Sequence, residues 1–125
     1  MAAKRRELEV VKMSEQGEVL CLGVRGSISR DRTNPQPDPL DAIVGEQGHG
    51  SKVLLGLMET DLIDSSGYSW LLNQNTAFRN KGGVLILHSV PPLVMQVLNM
   101  MRAELVFRIA PDAVAGMQML QGDTV

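Results

Sequence analysis

The sequence is poor in aromatic residues, has a single cysteine and contains no long apolar run. Its 125 residues include one Trp, one Tyr and two Phe, namely Trp70, Tyr68, Phe78 and Phe107. So few rings nearly exclude the stacking platforms on which single-stranded nucleic acid is held. Cys21 alone allows no disulfide framework and no thiolate cluster for zinc or iron–sulfur, in keeping with a reducing compartment. His49 sits in a glycine-rich stretch with no second ligand at metal spacing, so no metal site is expected. No apolar stretch follows the basic run Lys4, Arg5, Arg6, so neither a secretory signal nor a membrane-spanning helix is expected, and the default location is the cytoplasm. A formal net charge of -2 provides no field to steer the chain toward phosphate backbones or anionic lipid. Neither a nucleic-acid partner nor membrane insertion is expected.

What is present is an ordinary apolar fraction, 44% against 21% charged, in a length suited to one globular domain. The apolar content is largely aliphatic and includes eight methionines. Thioethers pack adaptably and recur at surfaces that receive partners.

Along the chain, residues 1–6 read as a flexible, solvated N-terminus. Leu8 to Met13 and Glu18 to Arg25 read as strands of a hairpin across the turn Ser14-Glu15-Gln16-Gly17. The second run is apolar on both faces, which places it inside a sheet. Residues 27–50 form a Pro/Gly-rich loop that includes Pro35, Pro37, Gly45, Gly48 and Gly50. Mobility is expected there, with one short helix over Pro39 to Gln47 capped by Asp38. Gly45-x-x-Gly48-x-Gly50 precedes a strand, so it is no dinucleotide-binding turn. A regular alternation follows: strand Lys52 to Met58, helix Ser66 to Lys81 ended by Gly82-Gly83, and strand Val84 to His88. Pro91-Pro92 opens a third helix, with Val94, Val97, Leu98, Met101 and Leu105 spaced as one buried face. Leu105 to Ile109 reads as a last strand and Asp112 to Leu120 as a closing helix. The order ββαβαβαβα implies an α/β fold with a mixed, mostly parallel sheet and helices packed on it.

Leu62-Ile63-Asp64-Ser65-Ser66-Gly67-Tyr68 joins an apolar strand to a helix, which puts Ser65 or Ser66 at the N-cap. On local grounds alone this is a capping turn. The wider order of elements resembles the STAS family, the domain of anti-sigma-factor antagonists and sulfate-transporter tails. The resemblance rests on Gly26, Val53-Leu54-Leu55, Asp64-Ser65-Ser66-Gly67, Gly82-Gly83-Val84-Leu85-Ile86-Leu87, the helix from Pro91, and Leu105-Val106-Phe107. It covers roughly Leu8 to Leu120. The chain departs from it at Gly56, where many members carry Asp, and at Ser27-Ile28-Ser29, where an acidic residue is usual.

The resemblance implies a non-enzymatic interaction domain without a cofactor. In the bacterial antagonists, the serine after the aspartate is phosphorylated by a partner that is both serine kinase and anti-sigma factor. Here that phosphoacceptor is Ser65, supported by Asp64, Ser66 and Gly67, with Asp61, Tyr68 and Trp70 as partner-binding residues. Trp70 is placed either outward as a docking anchor or partly buried as a packing residue. Leu93, Met95 and Met100 fall off the buried stripe of the third helix, as a partner surface or as packing against a neighbour. Two alternatives stand beside this reading. One is a STAS scaffold subunit of a signalling or lipid-transport complex, with Ser65 unmodified. The other is a small serine hydrolase pairing Ser65 with His88, which in a parallel sheet is expected at the same edge as Ser65.

Overall fold

The computed structural model describes residues 7–29 and 38–122. The expected flexible N-terminus 1–6, and Pro35 and Pro37 of the loop, lie outside the described residues. The elements are β1 (Glu9–Gln16), β2 (Val19–Ile28), α1 (Pro39–Val44), β3 (Lys52–Ile63), α2 (Ser65–Asn80), β4 (Val84–His88), α3 (Pro92–Met100), β5 (Arg108–Ala110) and α4 (Ala113–Gly122), with 3₁₀ segments at Gly45–Gly50 and Ala103–Leu105. This is a mixed α/β domain on one five-stranded sheet, in the spatial order β1-β2-β3-β4-β5. β1 and β2 pair antiparallel and every later pair is parallel.

Topology decides which face of the sheet is covered. From β2 to β5 each strand lies beside its predecessor, and right-handed crossovers in one direction put every connecting helix on the same face. The large core accordingly joins Leu20, Leu22 and Val24 of β2, Val53, Leu55 and Leu57 of β3, and Leu85 and Leu87 of β4 to Leu40 and Val44 of α1, Leu71 and Phe78 of α2, and Val94 and Leu98 of α3. Among the described helices only α4 crosses to the other face. There a small core of Val19, Leu54, Ile86, Ala110 and Leu120 forms. α4 touches β3, β4 and β5, so among the described residues no helix covers the same face of β1 and β2.

The strands run longer than the apolar pattern indicates. The hairpin turns on Gly17-Glu18 instead of the expected tetrapeptide, with Gly17 at φ 63°, a conformation glycine adopts without steric cost. β3 continues past Met58 to Ile63 because β2 also extends and pairs with it up to Ile28↔Ile63, across two register shifts. The segment expected to be mobile is folded over its described residues 38–50. Asp38 caps α1 by accepting from the N–H groups of Leu40 and Asp41 at 2.9 and 3.2 Å, and Leu40 and Val44 are buried. α1 stops at Val44, short of Gln47.

The expected stripe on α3 holds for Val94 and Leu98 and fails beyond them. Arg102 adopts φ 55° and ends the helical path, so Met101 and Leu105 are exposed. The expected strand Leu105 to Ile109 is correspondingly shorter, beginning only at Arg108.

Candidate functional site

The turn between β3 and α2 is built around Asp64. Its backbone N–H donates to the Ile28 carbonyl at 3.3 Å, tying the turn to the end of β2. Its carboxylate is the N-cap of α2, one position earlier than expected, because Oδ1 reaches the Gly67 N–H at 2.9 Å. Oδ1 also accepts from the Ser66 hydroxyl at 2.6 Å, and Oδ2 accepts from Ser29 Oγ at 2.5 Å. Ser29 was not foreseen as part of the site. Its only signal in the sequence is the Ser27-Ile28-Ser29 run, where the chain departs from the family resemblance.

Gly67 is fixed by contact. A Cβ on it would lie 1.7 Å from the Ile28 carbonyl oxygen, so α2 can start this close to β2 only with glycine there.

These bonds separate the two serines. Ser66 is held by Asp64 and lies 3.4 Å from Ser29 Oγ. Ser65 is the first residue of α2, is exposed, and makes no side-chain hydrogen bond among the described residues. It therefore presents a hydroxyl at the positive end of a sixteen-residue helix, where unpaired N–H groups and the helix dipole favour an anion. Asp61 is exposed near the end of β3.

Tyr68 and Trp70 face inward, each 6% exposed. The docking-anchor placement of Trp70 required an outward face, which it does not have. The reason is that α2 is flanked on both sides. Toward α1, Trp70 Nε1–H donates to Asp38 Oδ2 at 2.8 Å, and Gln74 Nε2 donates to the same oxygen at 2.9 Å. His49 Nε2 hydrogen-bonds Gln74 Oε1 at 2.8 Å and lies 3.0 Å from Asp41 Oδ1. Toward α3, the Tyr68 hydroxyl donates to the Met101 carbonyl at 3.5 Å and Asn75 to that of Val106 at 3.2 Å.

Beside that second flank lies an apolar surface that the helical pattern only partly indicated. Leu93, Met100, Met101, Leu105 and Val106 are all exposed. Met95 is half-buried.

His88 does not join Ser65. It pairs with Gly56, whereas β3 runs seven residues further, to Ile63 beside Ile28, before the serine turn. At about 3.3 Å per residue this is on the order of 20 Å along the strand, less what the bulges remove. A serine nucleophile and its base need hydrogen-bond contact of about 3 Å. The imidazole instead bonds through Nδ1 to Ser89 Oγ at 2.9 Å. The expectation that both residues emerge together failed because β3 outruns β4.

Among the described residues no three His, Cys, Asp or Glu side chains gather as a metal site, and no described helix is long and apolar enough to cross a membrane.

The family model of the STAS domain matches residues 10–114. No curated protein matches the sequence significantly. Among solved structures, an anti-sigma factor antagonist from Mycobacterium paratuberculosis is similar at 13% identity and TM-score 0.65, over 90% of this chain and 95% of that one. A Thermotoga maritima protein classed as a candidate anti-sigma factor antagonist is similar in its crystal structure at 17% identity and TM-score 0.63, over 81% of this chain and 87% of that one. The same protein solved by NMR gives 17% and 0.64, over 97% and 98%. At such identities the likeness is one of fold.

Proposed function

The chain belongs to the STAS domain family, and from that premise we propose that it is a cytoplasmic, non-enzymatic signalling domain of the anti-sigma-factor-antagonist type. In this reading it binds a serine kinase that is also an anti-sigma factor. Phosphorylation of Ser65 switches that binding, and transcription responds when the sigma factor is freed or recaptured. The domain supplies a hydroxyl and a surface; ATP and magnesium belong to the partner.

The observation that carries the proposal is the division of labour in the turn. Asp64 and Ser66 are occupied with holding the start of α2, and Ser65 alone is exposed with its hydroxyl unengaged among the described residues. A phosphate there adds a charge of about -1.5 to -2. The helix N-terminus accommodates it without refolding. Beside Asp61 and Asp64 the added charge repels an acidic or desolvated partner face. Like-charge juxtaposition in an interface costs several kcal/mol, and about 3 kcal/mol corresponds to roughly a hundredfold in affinity.

The exposed apolar residues around Met100, Met101 and Leu105 extend this surface. Tyr68 links them to the first turn of α2 through the Met101 carbonyl.

Mass spectrometry after incubation with a kinase encoded nearby is expected to find phosphate on Ser65. Ser65→Asp is expected to weaken partner capture about a hundredfold with the fold intact. A partner bound equally by both forms, with Ser65 unmodified by that kinase, would instead support a scaffold subunit of a signalling or lipid-transport complex.

A further inference from the structure

The open face of the sheet carries a depression that arises from strand register. Val11, Gly23, Gly56 and His88 lie side by side across β1, β2, β3 and β4. Two glycines in register on neighbouring strands put no side chain on this face, so the backbone itself forms a floor. Met13 and Met58, 65% and 74% exposed, stand along it as walls. A Cβ on Gly23 would lie 3.4 Å from Met13 Sδ, and one on Gly56 would lie 2.9 Å from His88 Cε1 and 3.2 Å from its Nε2. The imidazole thus leans over the second glycine. Ser89 and Ala113 also line the groove, whose volume is about 350 Å3.

Chemistry narrows what such a groove can hold. Its walls are mostly aliphatic and thioether groups, with polar atoms from Ser14, Gln16, Cys21, Arg25, Glu59 and Ser89, and the ring among the lining residues is the His88 imidazole. The charged side chains that line it are paired with each other: Arg25 Nε lies 2.7 Å from Glu59 Oε2. Burial lowers the pKa of His88, partly offset by Asp112, so the imidazole is neutral near pH 7.5. Among the described residues that line the groove no positive charge is unpaired, and a bare ion over an apolar floor would lose its hydration uncompensated. His88 Nδ1 is taken by Ser89, while Nε2 lies close to Gly56 and has no hydrogen-bond partner among the described residues. Mostly apolar lining with a few placed polar groups is the usual composition of a small-molecule site.

We propose that this groove binds a small uncharged molecule with an aliphatic body and one hydrogen-bonding group, the body over Gly23 between the methionines and the polar group on His88 Nε2. This site is independent of the Ser65 turn, and neither requires the other.

The test is a two-dimensional NMR titration at pH 7.5 with 1-octanol and, as its charged counterpart, octanoate. Octanol is expected to shift the Gly23, Gly56 and His88 amides and the His88 ring signals saturably, and octanoate to bind at least about tenfold more weakly. Gly23→Val, which fills the floor, is expected to abolish the octanol response, and His88→Leu to weaken it about fivefold, the loss of one hydrogen bond. Unchanged spectra elsewhere report that each variant is folded. Equal binding of octanoate, shifts centred on α3 instead of the groove, or a normal octanol response in Gly23→Val would overturn the proposal.

Discussion

Ser29 Oγ lies 2.5 Å from Asp64 Oδ2 and so joins the end of β2 to the cap of α2 across 35 residues of sequence. The bond is partly buried and its acceptor is a carboxylate, a combination worth more than a neutral surface hydrogen bond. Ser29→Ala is therefore expected to lower the unfolding free energy by about 1.5 kcal/mol. Ser65→Ala, at an exposed hydroxyl, is expected to stay within about 0.5 kcal/mol of the parent. Urea unfolding of the two variants measures the contrast. Equal losses would mean that Ser65 is structural, and would remove the division of labour on which its proposed role depends.

Gly67 offers a harsher test of the same turn. The first side-chain carbon of alanine would have to occupy space 1.7 Å from the Ile28 carbonyl oxygen. That atom is backbone, and its strand is paired with β3 up to Ile63. Relief requires α2 to move off the sheet, which opens the core around Leu71 and Phe78. Gly67→Ala is expected to cost about 3 kcal/mol or more, read as a large fall in the denaturant midpoint or as failure to fold.

Asp38 stands at the head of α1 and serves two elements at once. One oxygen caps α1, and the other receives the Trp70 and Gln74 donors from α2. Removing the carboxylate leaves two nearly buried donors without this acceptor and a helix without its cap, so Asp38→Ala is expected to cost about 3 kcal/mol. A double-mutant cycle with Trp70→Phe checks the mechanism. The Trp70 substitution should cost less in the Asp38→Ala background than in the parent, because the bond is already gone. Additive losses would show that Trp70 acts by packing alone.

The sequence disclosed most where local rules act alone. Asp38-Pro39 announced α1, and Asp64-Ser65-Ser66-Gly67 announced the strand-to-helix turn, because capping chemistry is spelled by neighbours in the chain. The parallel order of β3, β4 and β5 followed from the alternation of elements. Ser29 stayed hidden because its partner is set by the register of β2 on β3, including two bulges that no periodicity encodes. Trp70 was ambiguous because helical phase places a side chain around an axis but does not say that α1 will cover that flank. His88 was misplaced for a third reason. β3 extends through Glu59 to Ile63, a polar and apolar mixture whose strand character comes from its neighbour β2.

His88 supplies a prediction about pH. Burial lowers its pKa below the ordinary 6.5, with Asp112 opposing that shift in part. Between the folded value and 6.5 the unfolded chain binds more protons at this site than the folded one, so stability rises with pH there. The contribution is fully present above 6.5 and is lost as pH falls through the folded-state value. The melting temperature is thus expected to fall on acidification from about pH 7 toward 5, and His88→Leu should flatten part of that fall. His49 is present in both proteins, so the difference between the two profiles isolates His88. NMR titration of its Cε1 proton supplies the folded pKa directly; a value at or above 6.5, or parallel melting profiles, would contradict the burial of the neutral imidazole over Gly56.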